Sequence, residues 1–323
     1  MEFKGYTFGY GTKPGAYFTE EVIDSFNKCL DLGLNWVCIP VALTQDTFAS
    51  TEIRFDYKTD LSYIDIEKAV SMAHARNVKV CLKPMVNCAD GVWRADINFP
   101  DGNMIGVDTY WSKWFKSYTA FILNYAMYAE KLGCEMLCLG CEMLSSERKE
   151  KYWRELIAQV KKVYTGKLVY NTNHGSEENA KWVDELDYLG TSAYFRVGES
   201  EGATLEGMIE KWEKVADHLE EISKRVGKKI IFMEIGCRSA KGCSAMPWDF
   251  AHRDLPRDEQ EQADFYESVL KVMSKRDWFE GFFWWDWSTK VYKTKEEADK
   301  DVNFNIHLKK AEEVVKKYYS EIQ

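Results

Sequence analysis

The chain has 323 residues, 46% hydrophobic and 29% charged, with six prolines and no low-complexity tract, as a globular protein should. A formal charge of −9 without a clustered basic stripe argues against nucleic acid as a partner, and no apolar run approaches the length of a transmembrane helix, so no membrane role is expected. The length fits two ordinary domains or one large α/β barrel.

In chain order, residues 6–10 read as a first strand, closed by a turn at Gly11, Pro14 and Gly15. Thr19 then starts a helix with acids in its first turn, and Val22, Phe26, Cys29 and Leu30 recur on its inward face at helical spacing. Residues 34–40 are the second strand, followed by a polar loop over 44–59 and a helix over 61–76. The third strand spans 78–86, and its long following loop carries Trp93 and Asn98, with Trp111 near its end. A helix over 110–132 stops at Gly133. The fourth strand is the apolar run that ends at Glu142. A helix through 153–164 is broken by Gly166, the fifth strand covers 167–171, and a short helix over 177–183 leads to the sixth strand at 188–194. A long amphipathic helix (205–226), the seventh strand (229–234), a Gly-, Pro- and Trp-rich loop, a helix (258–273), the eighth strand (281–286) and a closing helix (308–319) complete the chain.

Eight strands alternating with helices, with no linker, predict one α/β domain over residues 1–323, a single (β/α)8 TIM barrel. An open doubly wound sheet would carry a glycine-rich phosphate loop after its first strand. Gly9-Tyr-Gly-Thr-Lys-Pro-Gly15 lacks the GxGxxG spacing and contains a proline, so dinucleotide binding is not expected.

Active sites of such barrels lie at the carboxyl ends of the strands. There the sequence places Lys83, Asn87, Glu142, Asn171, Asn173, His174, Tyr194, Glu234, Trp284, Trp285 and Asp286. Burying a charge is costly, so an apolar strand that ends in glutamate needs a reason. Glu142 closes Met-Leu-Cys-Leu-Gly-Cys141, and the pattern recurs in Lys229-Ile-Ile-Phe-Met-Glu234. Either glutamate alone is equally consistent with a structural ion pair, with Lys83 or Arg238 as partner. Two carboxyls on strands four and seven, across a barrel mouth, suit glycoside hydrolysis: one attacks, and the other serves as acid and then base. Tyr194, ending the strand beside that of Glu234, is placed to donate a hydrogen bond that keeps a nucleophile ionised. Trp284 or Trp285 is a stacking surface for a sugar ring, and alternation turns only one of them inward. Trp93, Trp111 and Trp248 in the loops are candidates for outer subsites, and His174 for a sugar hydroxyl.

Aromatic residues make up 15% of the chain, with twelve Trp and eighteen Tyr, an excess that favours a glycan reader. Five scattered histidines and no CxxC give no support to a metal site. Nine cysteines, several inside predicted strands, fit the reducing cytosol, and the amino terminus shows no basic stretch followed by an apolar core, so a cytoplasmic protein is expected. Composition says nothing of oligomeric state.

Three stretches resemble glycoside hydrolase family 113: Phe232-Met-Glu-Ile-Gly-Cys-Arg-Ser239 with Pro247-Trp-Asp249; Gly281-Phe-Phe-Trp-Trp-Asp-Trp-Ser-Thr-Lys290; and Trp153-Arg-Glu-Leu-Ile with Val163-Tyr-Thr-Gly-Lys-Leu-Val-Tyr170. The likeness runs from Tyr6 to about Lys290 and is looser in the loops after strands two and three. That family belongs to the clan of retaining (β/α)8 glycosidases, and its members are mainly β-1,4-mannanases. The resemblance implies Glu142 as acid/base and Glu234 as nucleophile, with no metal or organic cofactor, acting on a β-linked mannan or manno-oligosaccharide. Another β-linked hexosyl or amino-sugar glycan as substrate, or a carbohydrate-binding barrel without catalysis, are the alternatives. As an acid, Glu142 requires a raised pKa, and burial beside Cys141 and Met143 acts in that direction. In much of the clan an asparagine precedes the acid/base and binds the sugar 2-hydroxyl. Here that position is Cys141, a weak donor, so the contact is expected from Asn171 or Asn173.

Overall fold

A computed structural model describes residues 1–102, 108–200, 202–252 and 254–321. The strands are β1 (Phe3–Phe8), β2 (Trp36–Gln45), β3 (Lys79–Cys88), β4 (Met136–Cys141), β5 (Lys167–Asn173), β6 (Tyr188–Ser192), β7 (Ile230–Ile235) and β8 (Phe279–Trp287). They follow one another in chain order around a closed barrel, the (β/α)8 architecture expected from the alternation of strands and helices. The helices are α1 (Glu20–Leu30), α2 (Tyr63–His74), α3 (Thr109–Leu132), α4 (Leu144–Glu147), α5 (Glu150–Val160), α6 (Leu205–Val226), α7 (Glu259–Met273), α8 (Lys295–Ala298) and α9 (Lys310–Glu321), with 3-10 turns at Ala16–Phe18, Arg94–Asp96 and Val183–Glu185.

Packing sorts the chain into two compact units. The first comprises Met1–Tyr10, Phe18–Cys38 and Thr191–Gln323. In it β1 runs parallel to β2 and β8, with Gly5 opposite Trp36 and Phe3 opposite Gly281, and β7 pairs with β8. Phe3, Trp36 and Phe283 meet in its core, and Phe232 packs on Phe279 and Phe282. Trp212 of α6 lies over Phe232 and Phe265, covering the sheet from outside. Gly281 permits the β8–β1 approach: its φ is +143°, and a Cβ there would lie 2.0 Å from the Phe3 carbonyl oxygen.

The second unit comprises Gly11–Tyr17 and Ile39–Gly190. Here β3, β4 and β5 pair in parallel, with Cys81 opposite Met136, Leu137 opposite Leu168 and Cys141 opposite Asn171. Much of the aromatic excess forms this unit's outer layer. Trp111, Trp114, Phe115 and Tyr118 of α3 interlock, Trp153 of α5 packs on Phe115 and Tyr118, and Trp182 stacks on Trp153 at 4.4 Å. Trp111, read from the sequence as a cleft residue, is fully buried and donates to the Phe99 carbonyl (3.0 Å).

Helix ends follow their local chemistry. Thr19 accepts from the Val22 amide, Ser62 and Asp65 form a reciprocal capping box, and Gly133 ends α3 in the left-handed conformation. The helix expected over 177–183 is instead a run of turns, with the Asn179 amide on the Ser176 carbonyl, and only Val183–Glu185 winds, as a 3-10 turn. So few residues cannot recover the cost of nucleating a helix.

Gly281→Ala is expected to cost at least about 2 kcal/mol, because a Cβ would force β8 away from β1 and the backbone conformation suits only glycine. Urea unfolding of the variant beside the wild type measures it.

Candidate active site

Glu142 follows the last residue of β4 and is buried. Its backbone is left-handed, with φ +53°, a conformation few side chains other than glycine adopt without strain. The surroundings enforce it. Gly140, two residues before, leaves no room for a Cβ, which would lie 2.6 Å from the Tyr118 hydroxyl and 2.9 Å from Tyr170 Cε2. The Glu142 amide donates to the Asn171 carbonyl (2.8 Å), and the Met143 amide to the Tyr170 hydroxyl (3.0 Å). That hydroxyl donates in turn to Glu147 Oε1 (3.0 Å).

Two donors converge on one oxygen of the Glu142 carboxylate. Trp93 Nε1 and Arg94 Nη1 each lie 3.3 Å from Oε2. Arg94 is itself pinned, donating through Nη2 to Asn87 Oδ1 (2.7 Å) and through Nε to the Val86 carbonyl (3.1 Å). Its side chain and that of Glu142 are each 11% exposed, so the ion pair is largely shielded from water. The expected environment of apolar neighbours is therefore incomplete: Cys141 and Met143 are buried beside Glu142, but a cation shares its oxygen. Asn171 is fully buried, and its amide nitrogen donates to Cys141 Sγ at 3.2 Å.

Glu234, next to last in β7 and also buried, has a different environment. The Tyr194 hydroxyl donates to its Oε2 at 3.2 Å, the bond anticipated for a carboxylate kept ionised, and its carbonyl accepts from the Ala193 amide. Gly236 lets the chain pass close to β8, since a Cβ there would lie 2.3 Å from the Trp285 carbonyl oxygen. On β8, burial and then the charge of Glu234 push the Asp286 carboxyl up to about 7. The Trp285–Asp286 peptide is cis. Arg238, considered from the sequence as a partner for a strand-end glutamate, is buried against Asp249 and the His252 carbonyl. Glu261 secures the same loop by accepting from the Gly242 and Ser244 amides.

The two tryptophans of β8 separate as alternation requires. Trp285 is partly exposed, its ring 5.0 Å from that of Tyr10. Trp284 is removed from the substrate-binding set: it is fully buried, stacks on Tyr266 of α7 at 4.2 Å and donates to the Tyr319 hydroxyl of α9 (2.8 Å). Trp93 and Trp248 are roughly half exposed, at 44% and 45%. Asn87 serves Arg94, and Lys83 is fully buried in β3. The Asn173 carbonyl accepts from the Ser176 amide and hydroxyl, tying the end of β5 to a turn in which His174 is partly buried.

Two charged residues escaped sequence reasoning. Arg94 sits in a 3-10 turn, where no periodicity reveals which way a side chain faces. Glu147 looked like one more acid in a polar helix, yet it is 1% exposed, and desolvation pushes its carboxyl up to about 8 against the donated bonds of Tyr170 and Asn179.

A barrel with buried glutamates closing strands four and seven, one held by a phenol and the other by a cation, has the make-up of a glycoside hydrolase. The sequence matches the model of glycoside hydrolase family 113 over residues 6–309, and the chain belongs to that family. Among solved structures it is similar to a GH113 β-1,4-mannanase in a complex, at 37% identity and a TM-score of 0.89 with 99% of both chains covered. It is also similar to the GH113 β-mannanase AaManA from Alicyclobacillus acidocaldarius in complex with ManMIm, at 36% identity and a TM-score of 0.90, covering 100% of this chain and 99% of that one. A family 5 mannosidase from Rhizomucor miehei, at 9% identity and a TM-score of 0.71, shares the fold. A comparison with the curated proteins finds no match.

Tyr194→Phe removes one donor from Glu234, and kcat is expected to fall about a hundredfold with little change in thermal stability. Steady-state kinetics beside a melting curve test this. For Glu147, an acid raised from 4.5 to about 8 contributes stability that is present below its unfolded value and lost as pH rises through its folded one. Glu147→Gln, which keeps an acceptor for Tyr170, is expected to spare on the order of 1–3 kcal/mol of the wild type's loss between about pH 5 and about pH 8. Denaturant melts across that range give the comparison.

Proposed function

We propose that this glycoside hydrolase cleaves β-1,4-linked manno-oligosaccharides or mannan by double displacement, with Glu234 as nucleophile and Glu142 as acid/base. The observation that carries the reading is the unlike environment of two buried strand-end carboxylates. Glu234 accepts from a neutral phenol, which orients it and leaves it ionised for attack on the anomeric carbon. In the first step the C1–O bond breaks as Glu234 bonds to C1, and the leaving oxygen takes the proton of Glu142. In the second, Glu142 takes a proton from water as the water oxygen displaces Glu234 from C1. The solved relatives, a β-1,4-mannanase and a β-mannanase, support mannan as the glycan.

Trp285 beside Tyr10 supplies the stacking surface for the sugar at the cleavage point, and the half-exposed Trp93 and Trp248 suit outer subsites. Asp286, Asn173 and His174 are the polar groups for sugar hydroxyls. We place the enzyme in the cytoplasm, where short imported oligosaccharides are its natural substrate. Its nine cysteines are all free and buried, which supports a reducing compartment.

Glu234→Ala is expected to lower turnover of an activated aryl β-manno-oligosaccharide by about 10³-fold or more, with azide rescue giving the inverted glycosyl azide. Glu142→Ala with azide gives the retained one. Undiminished activity in Glu234→Ala, or cellulose or chitosan oligomers preferred over manno-oligosaccharides in a product profile, would overturn the reading.

A further inference from the structure

The acid/base of a retaining cycle must be protonated before the first step and ionised before the second. A cation fixed against it is therefore not neutral in effect. Arg94 is fixed in this sense: two acceptors on β3, Asn87 Oδ1 and the Val86 carbonyl, hold its Nη2 and Nε, and Nη1 is left for Glu142 Oε2. Nη1 also lies 4.0 Å from Cys141 Sγ, over the residue that precedes the acid/base. Trp93 Nε1 occupies a second direction at the same oxygen.

We infer that Arg94 is a positioning residue for the acid/base: it anchors Glu142 through Oε2 and favours the carboxylate required for the second half of the cycle. This rests on the assignment of Glu142 given above. The proton of Glu142 passes to the glycosidic oxygen as that bond breaks, and the carboxylate then takes one from the attacking water, so the acid is restored each turn. Throughout, Oε2 keeps its two N–H donors. Arg94 thus opposes the acid step and assists the base step, an asymmetry that a purely structural arginine would lack.

Among the groups around Glu142 within its own unit are Arg94 and Trp93 on the 3-10 turn, the Cys141 thiol on β4, Asn171 on β5 and Glu147 on α4, and the neighbouring strand β3 carries the fully buried Lys83. Glu234 acts with it in the proposed mechanism. Arg94 brings a positive charge to the carboxylate at 3.3 Å.

The experiment compares wild type with Arg94→Met, Arg94→Lys and Trp93→Phe. Its readouts are the pH profile of kcat/KM on mannotetraose and kcat on a dinitrophenyl β-manno-oligosaccharide, whose departure needs no acid. In Arg94→Met the alkaline limb is expected to move up by about one pH unit or more, because an opposite charge has gone. Its kcat on the aryl substrate should fall about tenfold or more, and azide, which needs no base, should restore it. Arg94→Lys keeps the charge and should leave the limb near the wild type, while Trp93→Phe removes a donor without moving it. An unmoved limb in Arg94→Met, or limbs equally displaced in Arg94→Met and Arg94→Lys, overturns the inference. Should Arg94→Met not fold, Arg94→Lys decides: a limb displaced as far as one unit overturns it, and a retained limb with slower aryl turnover supports it. If wild type leaves mannotetraose intact, or azide fails to rescue Glu142→Ala, the functional reading has failed and not this inference alone.

Discussion

A carboxylate set at the end of a fully apolar strand must be supplied with donors, because the water it has lost is otherwise not replaced. At Glu142 this requirement reaches outward through several shells of the molecule. Arg94 and Trp93 satisfy one oxygen, and Arg94 can do so only because Asn87 and Val86 hold it in turn. Behind the backbone, the Tyr170 hydroxyl accepts from the Met143 amide and donates a hydrogen bond to Glu147, a second buried acid. The left-handed backbone at Glu142 persists because these bonds, with the Asn171 carbonyl and the glycine at 140, overdetermine it. The aromatic layer of α3 and α5 packs around the same point, with Tyr118 and Trp153 both close to Gly140.

Glu234 meets the same requirement by other means. A phenol donates without adding charge, and the nearest acid on β8, Asp286, is pushed up to about 7, which lessens the negative charge that would accumulate beside a nucleophile. A phenol is thus among the donors to Glu234, and a cation among those to Glu142, while both glutamates are similarly buried. A nucleophile has to be ionised and reactive, and a tightly paired cation would blunt it. An acid/base passes through both ionisation states, so a fixed cation trades one half-reaction against the other.

The barrel was legible because strand and helix alternate with different periods and because glycines and caps punctuate them where backbone chemistry demands. The glutamate pair was legible because charge at the end of an apolar run is anomalous on its face. What escaped has a common cause. The direction of Arg94 depends on a three-residue turn, and the burial of Glu147 depends on Tyr170 and Trp182, which reach it from later in the chain. Alternation announced that Trp284 and Trp285 part company, but not which one faces the helices. That was decided by Tyr266 and Tyr319, which offer Trp284 a stacking face and a hydrogen-bond partner. Over 177–183 helix-forming residues were present in too short a run to matter.

Cys141 draws these threads together. A thiol before the acid/base is smaller than an amide and a poor donor, so a chain that carries it loses a polar contact at the most constrained point of β4. The structure shows where the polarity went. Asn171 is the register partner of Cys141 on β5, and its amide is directed onto the sulfur, while the Arg94 guanidinium approaches the same atom from the 3-10 turn that follows β3. An asparagine amide from the neighbouring strand is thus held one residue from Glu142, with the Cys141 sulfur as its acceptor. Cys141 and the ion pair at Glu142 thus meet at one point, with the Arg94 guanidinium 4.0 Å from the sulfur and 3.3 Å from the carboxylate.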